Sequence, residues 1–391
     1  MVTTNELKKK SLFGELQKKN IGNTIIPLIF LLIIVLVISS NFMLYKRGIK
    51  VTEAKEIMKE ELRPAELQLI KIMSDGCDSC FDVEKAVSEL KNQNVNITTD
   101  EKILSDSQQG KEFISKYNIK KLPTIIVTGE INKSEQLAKY LKEKGEIKDN
   151  KFIYTAITPP YLDTISNQIK GQVQIKHIID SSCEKCIDLT AISSAFREKG
   201  VFIKNEQFIE YNSNQGQELI KKFEIKEIPA IIISEDIDYY PDIKNALIQS
   251  EASKKEGFYA VHSKVPPYID VATNKVVGLV DVVYLNKKDC PVCYDVSVNK
   301  NILLRIGLVL NKENTYDINS PEGKQLVQKY NIKKAPIIVL SPDAKYYQSL
   351  EKAWKDIGTV ESDGWFVMRN PEVIGTYWNL EEGKVVERGS S

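Results

Sequence analysis

Three pairs of cysteines stand in one register along this chain, and that register limits the folds available more than any other feature. Cys77 and Cys80 lie in "SDGCDSCFDVEKAV", Cys183 and Cys186 in "DSSCEKCIDLTAI", and Cys290 and Cys293 in "KKDCPVCYDVSV". Cys77 to Cys183 is 106 residues and Cys183 to Cys290 is 107, and the 391-residue chain has 6 cysteines in all. A second landmark keeps step: "YNIKKLPTIIV", "FEIKEIPAIII" and "YNIKKAPIIVL" place Pro123, Pro229 and Pro336 each 43 residues after the second cysteine of a pair. Self-similarity at a fixed period marks a tandem repeat, so the chain contains three copies of one unit.

Each copy reads alike. An apolar run ("LQLIKIM", "VQIKHII", "VDVVYL") has the length and branched residues of a strand. The cysteine pair then opens an amphipathic helix ("CFDVEKAVSELKNQ", "CIDLTAISSAFREKG"), followed by a second extended stretch ("KNEQFIEYN", "NTYDIN") and a short helix ("QGKEFISKY", "QGQELIKKF", "EGKQLVQKY"). The proline begins another apolar strand, and a further helix ("SEQLAKYLKEKG", "YQSLEKAWKDIG") closes the unit. Strands alternating with helices predict an α/β layer whose first two strands pair in parallel. Patterned linkers with paired prolines at 159/160 and 266/267 read as a strand, turn and strand finishing each unit, and "GWFVMRNPEVIGTYWNLEEGKVVE" is a degenerate third version. Short linkers of this kind make a semi-rigid string.

Ahead of the repeats, Thr24 to Tyr45 is a run of 22 residues without charge, long enough to cross a hydrocarbon core as a helix. A secretory signal peptide is the competing reading, but the preceding segment is long and the run exceeds a usual signal core. We read an uncleaved anchor, with "VTEAKEIMKEELRP" as a solvated helical spacer behind it. Lys8, Lys9, Lys10, Lys18 and Lys19 before the span are balanced by Lys46, Arg47, Lys50, Lys55 and Lys59 after it, so the positive-inside count is a tie. Cysteines that all pair suit an oxidising compartment, and glycosylation sequons at Asn96 and Asn132 agree, which places the globular part outside the cytoplasm. The expected boundaries are 1–23 for the N-terminal segment, 24–45 for the span, 46–65 for the spacer, and 66–170, 171–277 and 278–391 for the three domains. A net charge of +1 leaves no electrostatic footprint for nucleic acid. The closing Gly389-Ser390-Ser391 is assigned no role.

Cysteines at i and i+3 share a helix face, and at a first turn the helix dipole favours a thiolate on the leading one. The second can then resolve a mixed disulfide, which is the chemistry of a dithiol oxidoreductase. A strand, C-x-x-C, helix, strand, helix and proline-led strand resembles the thioredoxin superfamily, and three tandem copies resemble a protein disulfide isomerase. The resemblance covers about residues 66 to 370. It implies three tandem thioredoxin-like domains behind a transmembrane helix, with Cys77, Cys183 and Cys290 attacking and Cys80, Cys186 and Cys293 resolving. It also implies that Pro123, Pro229 and Pro336 are cis and face the cysteines. With Leu122, Ile228 and Ala335 before them, they present backbone groups to a bound peptide. Cysteine-containing client proteins and a redox partner are the implied partners, and no dissociable cofactor is required.

The chain departs from that pattern in three ways. Gly76, Ser182 and Asp289 stand where many thioredoxins have tryptophan, and Lys71, His177 and Tyr284 replace a buried carboxylate six residues before the leading cysteine. A helix, not a strand hairpin, follows the proline strand. The dipeptides between the cysteines also differ. Asp78-Ser79 disfavours a thiolate, Glu184-Lys185 mixes charges and Pro291-Val292 has none, so three distinct potentials are expected.

Other readings stay open at this stage. Zinc would need four ligands from pairs more than a hundred residues apart in a chain with 2 histidines, so no metal site is expected. Each pair could instead be a permanent disulfide pinning a helix start, with the domains acting as a tethered polypeptide-binding or chaperone scaffold. His177 reads as a core histidine and His262 as a loop residue, while Trp354, Trp365 and Trp378 read as packing near the end of the chain.

Overall fold

The computed structural model describes residues 22–388, with side chains from Leu31 onward. Most of the N-terminal segment with its five lysines, and Gly389–Ser391, lie outside the described residues. The chain falls into two compact units. One runs to Leu69 and includes Glu84–Asp100 and Ile126–Ile153, and the other holds Ile70–Val83, Glu101–Ile125 and everything from Tyr154.

The expected span and spacer run together as one helix, Gly22–Leu62, because nothing between them breaks it. Its 41 residues rise about 60 Å, twice the hydrocarbon core of a bilayer. Among the described residues it is the one helix long and apolar enough to cross a membrane, and Leu31–Leu44 leave their apolar side chains exposed. It stops before Pro64, whose ring disfavours helical backbone at Arg63. Arg63 reaches Glu60 at 2.7 Å and Glu130 at 2.6 Å, and Lys133 reaches Glu60 at 2.8 Å. Hydrogen bonds from Arg63 and Lys133 hold the Glu60 carboxyl down to about 2.

Three five-stranded sheets follow with one strand order. In the second repeat that order is Ile203–Glu210, Val173–Ile179, Ala230–Ser234, Phe258–His262, Ser253–Lys255. In the third it is Val309–Asp317, Leu279–Asn286, Ile337–Leu340, Phe366–Met368, Gly358–Val360. The first repeat has the same order from Val95–Leu104 to Gly145–Lys148. The first two strands of the second and third repeats pair in parallel, and the proline-led strand lies antiparallel on the other side of the leading strand. That arrangement, with a helix crossing between the parallel strands, is the thioredoxin-like fold.

The second half is rebuilt. The closing helix (Glu135–Lys144, Pro241–Gln249, Gln348–Ile357) leads into an outer strand, and the chain turns back to lay the next strand beside the proline-led one. Each repeat then ends in a hairpin that joins a separate three-stranded sheet: Tyr161–Asp163 with Gln168–Lys170, Tyr268–Asp270 with Lys275–Val277, and Tyr377–Asn379 with Lys384–Val386. The linkers therefore supply three strands where the sequence pattern suggested two.

Local signals recur in register. Ser107, Ser213 and Ser320 cap the second helix of each repeat by accepting from the N–H of Gly110, Gly216 and Gly323, each at 3.0 Å. A Cβ on any of these glycines would strike the carbonyl oxygen of Leu104, Glu210 or Asp317. An acidic residue after each proline-led strand secures the entry to its repeat. Glu130 accepts from Glu66 N–H at 2.9 Å, Asp236 from Gly171 N–H at 2.8 Å and Asp343 from Gly278 N–H at 3.2 Å. Trp354 is a core residue edge-on to Phe366, Trp365 packs at the same core, and Trp378 lies in the last hairpin.

Two buried tyrosines tie linker to repeat. Tyr240 Oη donates to the Gly171 carbonyl at 2.7 Å and accepts from Phe202 N–H at 3.0 Å. Tyr347 Oη repeats this with the Gly278 carbonyl at 2.6 Å and Val309 N–H at 3.0 Å. Removing either hydroxyl strands a main-chain donor and acceptor, so Tyr240→Phe and Tyr347→Phe should each cost about 1–3 kcal/mol of stability. Denaturant unfolding of the two variants checks this.

Candidate redox sites

Each cysteine pair closes on itself. Cys77–Cys80, Cys183–Cys186 and Cys290–Cys293 are disulfide-bonded with Cα separations of 5.4, 5.4 and 5.3 Å, and the described residues hold no free cysteine. The second cysteine's N–H bonds the first one's carbonyl at 3.2 Å in every copy. The three pairs thus form three separate sites.

The expectation that the pairs open a helix is corrected. Each occupies a turn, and the helices begin later, at Val83, Thr190 and Val298. The next backbone N–H is diverted: Phe81 donates to the Pro160 carbonyl at 2.8 Å, Ile187 to Pro267 at 3.2 Å and Tyr294 to Thr376 at 2.9 Å. Aspartates then take up donors at the helix start. Asp188 accepts from the hydroxyl and N–H of Thr190 at 2.7 and 2.8 Å, and Asp295 from Ser297 N–H at 2.9 Å. Hydrogen bonds from Thr190 hold the Asp188 carboxyl below its ordinary range, and those from Ser297 do so for Asp295. The helix end that was expected to stabilise a thiolate therefore serves a carboxylate instead. The recurring "CFD", "CID" and "CYD" were the signal for this, since an aspartate just before a helix is a start signal.

The residues around the sulfurs differ. Cys77 and Cys183 are half-buried, whereas Cys290 is only 7% exposed. Asp78 is exposed beside the first pair, and Ser79 Oγ accepts from Gln172 Nε2 at 2.8 Å. Lys185 turns its ammonium to the Leu310 carbonyl at 2.9 Å. In the third site Tyr294 Oη donates to the Pro336 carbonyl at 2.9 Å, and burial pushes its phenol up to about 12.

The peptide bonds Leu122–Pro123, Ile228–Pro229 and Ala335–Pro336 are cis, as are Pro159–Pro160 and Pro266–Pro267. Leu122, Ile228 and Ala335 are buried and pair with Leu162, Ile269 and Trp378 of the closing hairpins.

At the position six residues before the leading cysteine, the second and third repeats hold neutral or basic groups paired to an acid on the adjoining strand. His177 Nε2 lies 2.8 Å from Glu206 Oε1, with its ring stacked on Phe208 at 4.7 Å. Tyr284 Oη donates to Glu313 Oε2 at 2.8 Å, and burial pushes the Tyr284 phenol up. His177 is thus a core histidine with a partner. His262 is not a loop residue: it ends strand Phe258–His262 and sets Nδ1 against the Glu227 carboxylate, because the linker's first strand extends through it.

No family model matches the sequence, and no curated protein matches it. Among solved structures the chain is similar to the alkylhydroperoxide reductase AhpF of Enterococcus faecalis, at 16% identity over 44% of this chain and 83% of that one, with a TM-score of 0.15. Human ERp44 matches at 14% identity over 72% and 77%, with a TM-score of 0.12. ERdj5 matches at 14% over 71% and 38%, with a TM-score of 0.15. At these scores the matches add nothing to the strand order, on which the fold assignment rests.

Burial raises the Glu206 carboxyl, but hydrogen bonds from Ser193, Arg197 and His177 outweigh it and hold the group at about 2. A carboxylate depressed on folding stabilises above its unfolded pKa, and that contribution is lost as pH falls through the folded value. Glu206→Gln should therefore lower stability by about 1.5–3 kcal/mol at neutral pH, the range for hydrogen bonds to a charged group. The gap to wild type should close between about pH 4.5 and about pH 2, as denaturant midpoints measured across that range will show.

Proposed function

We propose that the protein is a membrane-anchored thiol-disulfide oxidoreductase acting on cysteine-containing proteins outside the cytoplasm. One observation carries the reading: three cysteine pairs, each closed within a turn and stitched by the following N–H to the loop beside a proline-led strand, in the same register three times. A leading thiolate attacks a client disulfide, a mixed disulfide forms, and the second thiol displaces the client while the pair closes. In this reading Cys77 and Cys183 attack and Cys80 and Cys186 resolve. The long apolar helix is the anchor, and exposed Asn96 and Asn132 agree with the assigned side. The proline-adjacent residues Leu122, Ile228 and Ala335 belong to the same sites. At one place a second reading is favoured: burial of Cys290 suits a structural disulfide in the third repeat.

Helix starts occupied by Asp188 and Asp295 withdraw the usual support for a thiolate there. Glutathione titration of the full chain should therefore place the working pairs nearer about −270 mV than about −120 mV. The exposed Asp78 disfavours the reduced form of the first pair, so Asp78→Asn should raise that potential by about 20 mV, the worth of one exposed charge a few ångströms away. Changing Cys80 and Cys186 to Ser should accumulate mixed disulfides at Cys77 and Cys183, read by mass spectrometry. Potentials below about −300 mV at all three pairs, with no trapped client, would mark structural disulfides and reject the catalytic reading.

A further inference from the structure

Extended polypeptides commonly dock by adding a strand to an open sheet edge, through main-chain hydrogen bonds. The two-residue strand ahead of each proline (Lys121–Leu122, Glu227–Ile228, Lys334–Ala335) is the outer strand of a three-stranded sheet, and the side facing the closing hairpin is one place where a strand could add. The chain has filled it three times. Thr164 N–H bonds the Lys120 carbonyl at 3.0 Å, Val271 N–H the Lys226 carbonyl at 2.9 Å, and Leu380 N–H the Lys333 carbonyl at 2.8 Å. Hydrogen-bonded positions alternate along an antiparallel ladder. Two residues on, Leu122 faces Leu162, Ile228 faces Ile269 and Ala335 faces Trp378, so both main-chain groups of each proline-adjacent residue are engaged. Leu122, Ile228 and Ala335 are 1%, 0% and 0% exposed.

The same connection is fixed at the cysteine turn, where Pro160, Pro267 and Thr376 accept the N–H that follows the second cysteine. A segment of the chain itself thus runs from the cysteine turn to the proline strand, along the course an added strand would follow. We propose that the three closing hairpins set the substrate class. They exclude extended, unfolded polypeptide and admit disulfides carried on the surface of folded proteins, which reach sulfur without strand addition.

This rests on the oxidoreductase reading. A thiol reductant such as glutathione first opens the closed pair and is itself oxidised to its disulfide; a leading thiolate then bonds one sulfur of the partner's disulfide and releases the other as a thiolate. The second cysteine then bonds the leading one and releases the first sulfur. Two electrons pass to the partner, and its thiolates take up the two protons given up by the pair.

The test uses the full chain in detergent micelles, wild type and Leu162→Pro, Ile269→Pro and Trp378→Pro, each of which deletes a ladder N–H. An unstructured, cysteine-free apolar peptide probes strand addition without any redox step. The rates on hydroxyethyl disulfide and on a disulfide within an unfolded polypeptide probe exchange. Wild type should not bind the peptide measurably. Each proline variant should gain about tenfold or more in peptide binding, and Leu162→Pro and Ile269→Pro the same in rate on the polypeptide, the worth of one to two main-chain hydrogen bonds. The rate on hydroxyethyl disulfide should stay within about twofold, because no main-chain bond to it is gained. Wild type binding the peptide as tightly as the variants would overturn the proposal.

Should a variant unfold, hydrogen exchange on wild type decides. Protection of the Leu162, Ile269 and Trp378 amides unchanged by excess peptide supports exclusion, and loss of it shows that the hairpin yields to the peptide and rejects exclusion. Absent turnover of hydroxyethyl disulfide would fail the oxidoreductase reading alone, since peptide binding still decides whether the hairpins exclude.

Discussion

The backbone N–H one residue past each cysteine pair determines how the site is built. In a helix opened by the pair, that donor would sit among the orphan groups of the first turn. Here it crosses to the loop ahead of the hairpin, at Pro160, Pro267 and Thr376. The cysteines are left in a turn, and the helix restarts beyond it, where Asp188 accepts from Thr190 N–H and Asp295 from Ser297 N–H. The loop is fixed in turn, so the strand following it lies against the proline-led segment. Turn, helix start, loop and hairpin are consequences of where one hydrogen bond goes.

Much of this could be read from residues alone. The repeat, the parallel first pair of strands and the apolar helix follow from spacing and periodicity, because a period-two apolar run and a proline in fixed register leave few arrangements. Serine-capped helices were equally open to reading in "SQQG", "SNQG" and "SPEG". The start of the helix after the cysteines carried one local signal, the aspartate of "CFD", "CID" and "CYD", which the pattern "CIDLTAISSAFREKG", amphipathic throughout, masks, and the competing acceptor lies some eighty residues away in the Pro-Pro loop. Long-range main-chain bonds leave no periodic trace. His262 was misread for a related reason: its strand is short and polar at its end, and its partner Glu227 adjoins the next landmark rather than its own element.

The repeats share a scaffold and differ in charge. His177 with Glu206 and Tyr284 with Glu313 place a satisfied pair where thioredoxins bury a lone carboxylate, and Asp100 stands at the same 29-residue offset from Lys71. A pair whose protons are already committed is a poor reservoir for a resolving thiol. The leading cysteines of the first two repeats are half-buried, whereas Cys290 of the third is buried.

The hairpins also answer a problem of sheet edges. An unpaired strand invites pairing with another chain, and proteins blunt such edges with charge or by covering them. The outer strands here carry charge, as in "TDEK" of Val95–Leu104, "KNEQ" of Ile203–Glu210 and "NKEN" of Val309–Asp317. The short segment before each proline joins a charged residue, Lys121, Glu227 or Lys334, to an apolar one, Leu122, Ile228 or Ala335, and the proline that follows cannot donate a hydrogen bond. The chain's own hairpin pairs with one side of it, and the segment remains the outer strand of a three-stranded sheet. Opening the side that the hairpin covers would expose it to pairing with a second copy of the chain. The same hairpin covers the same main-chain groups in all three repeats, so that hazard is met in one way three times.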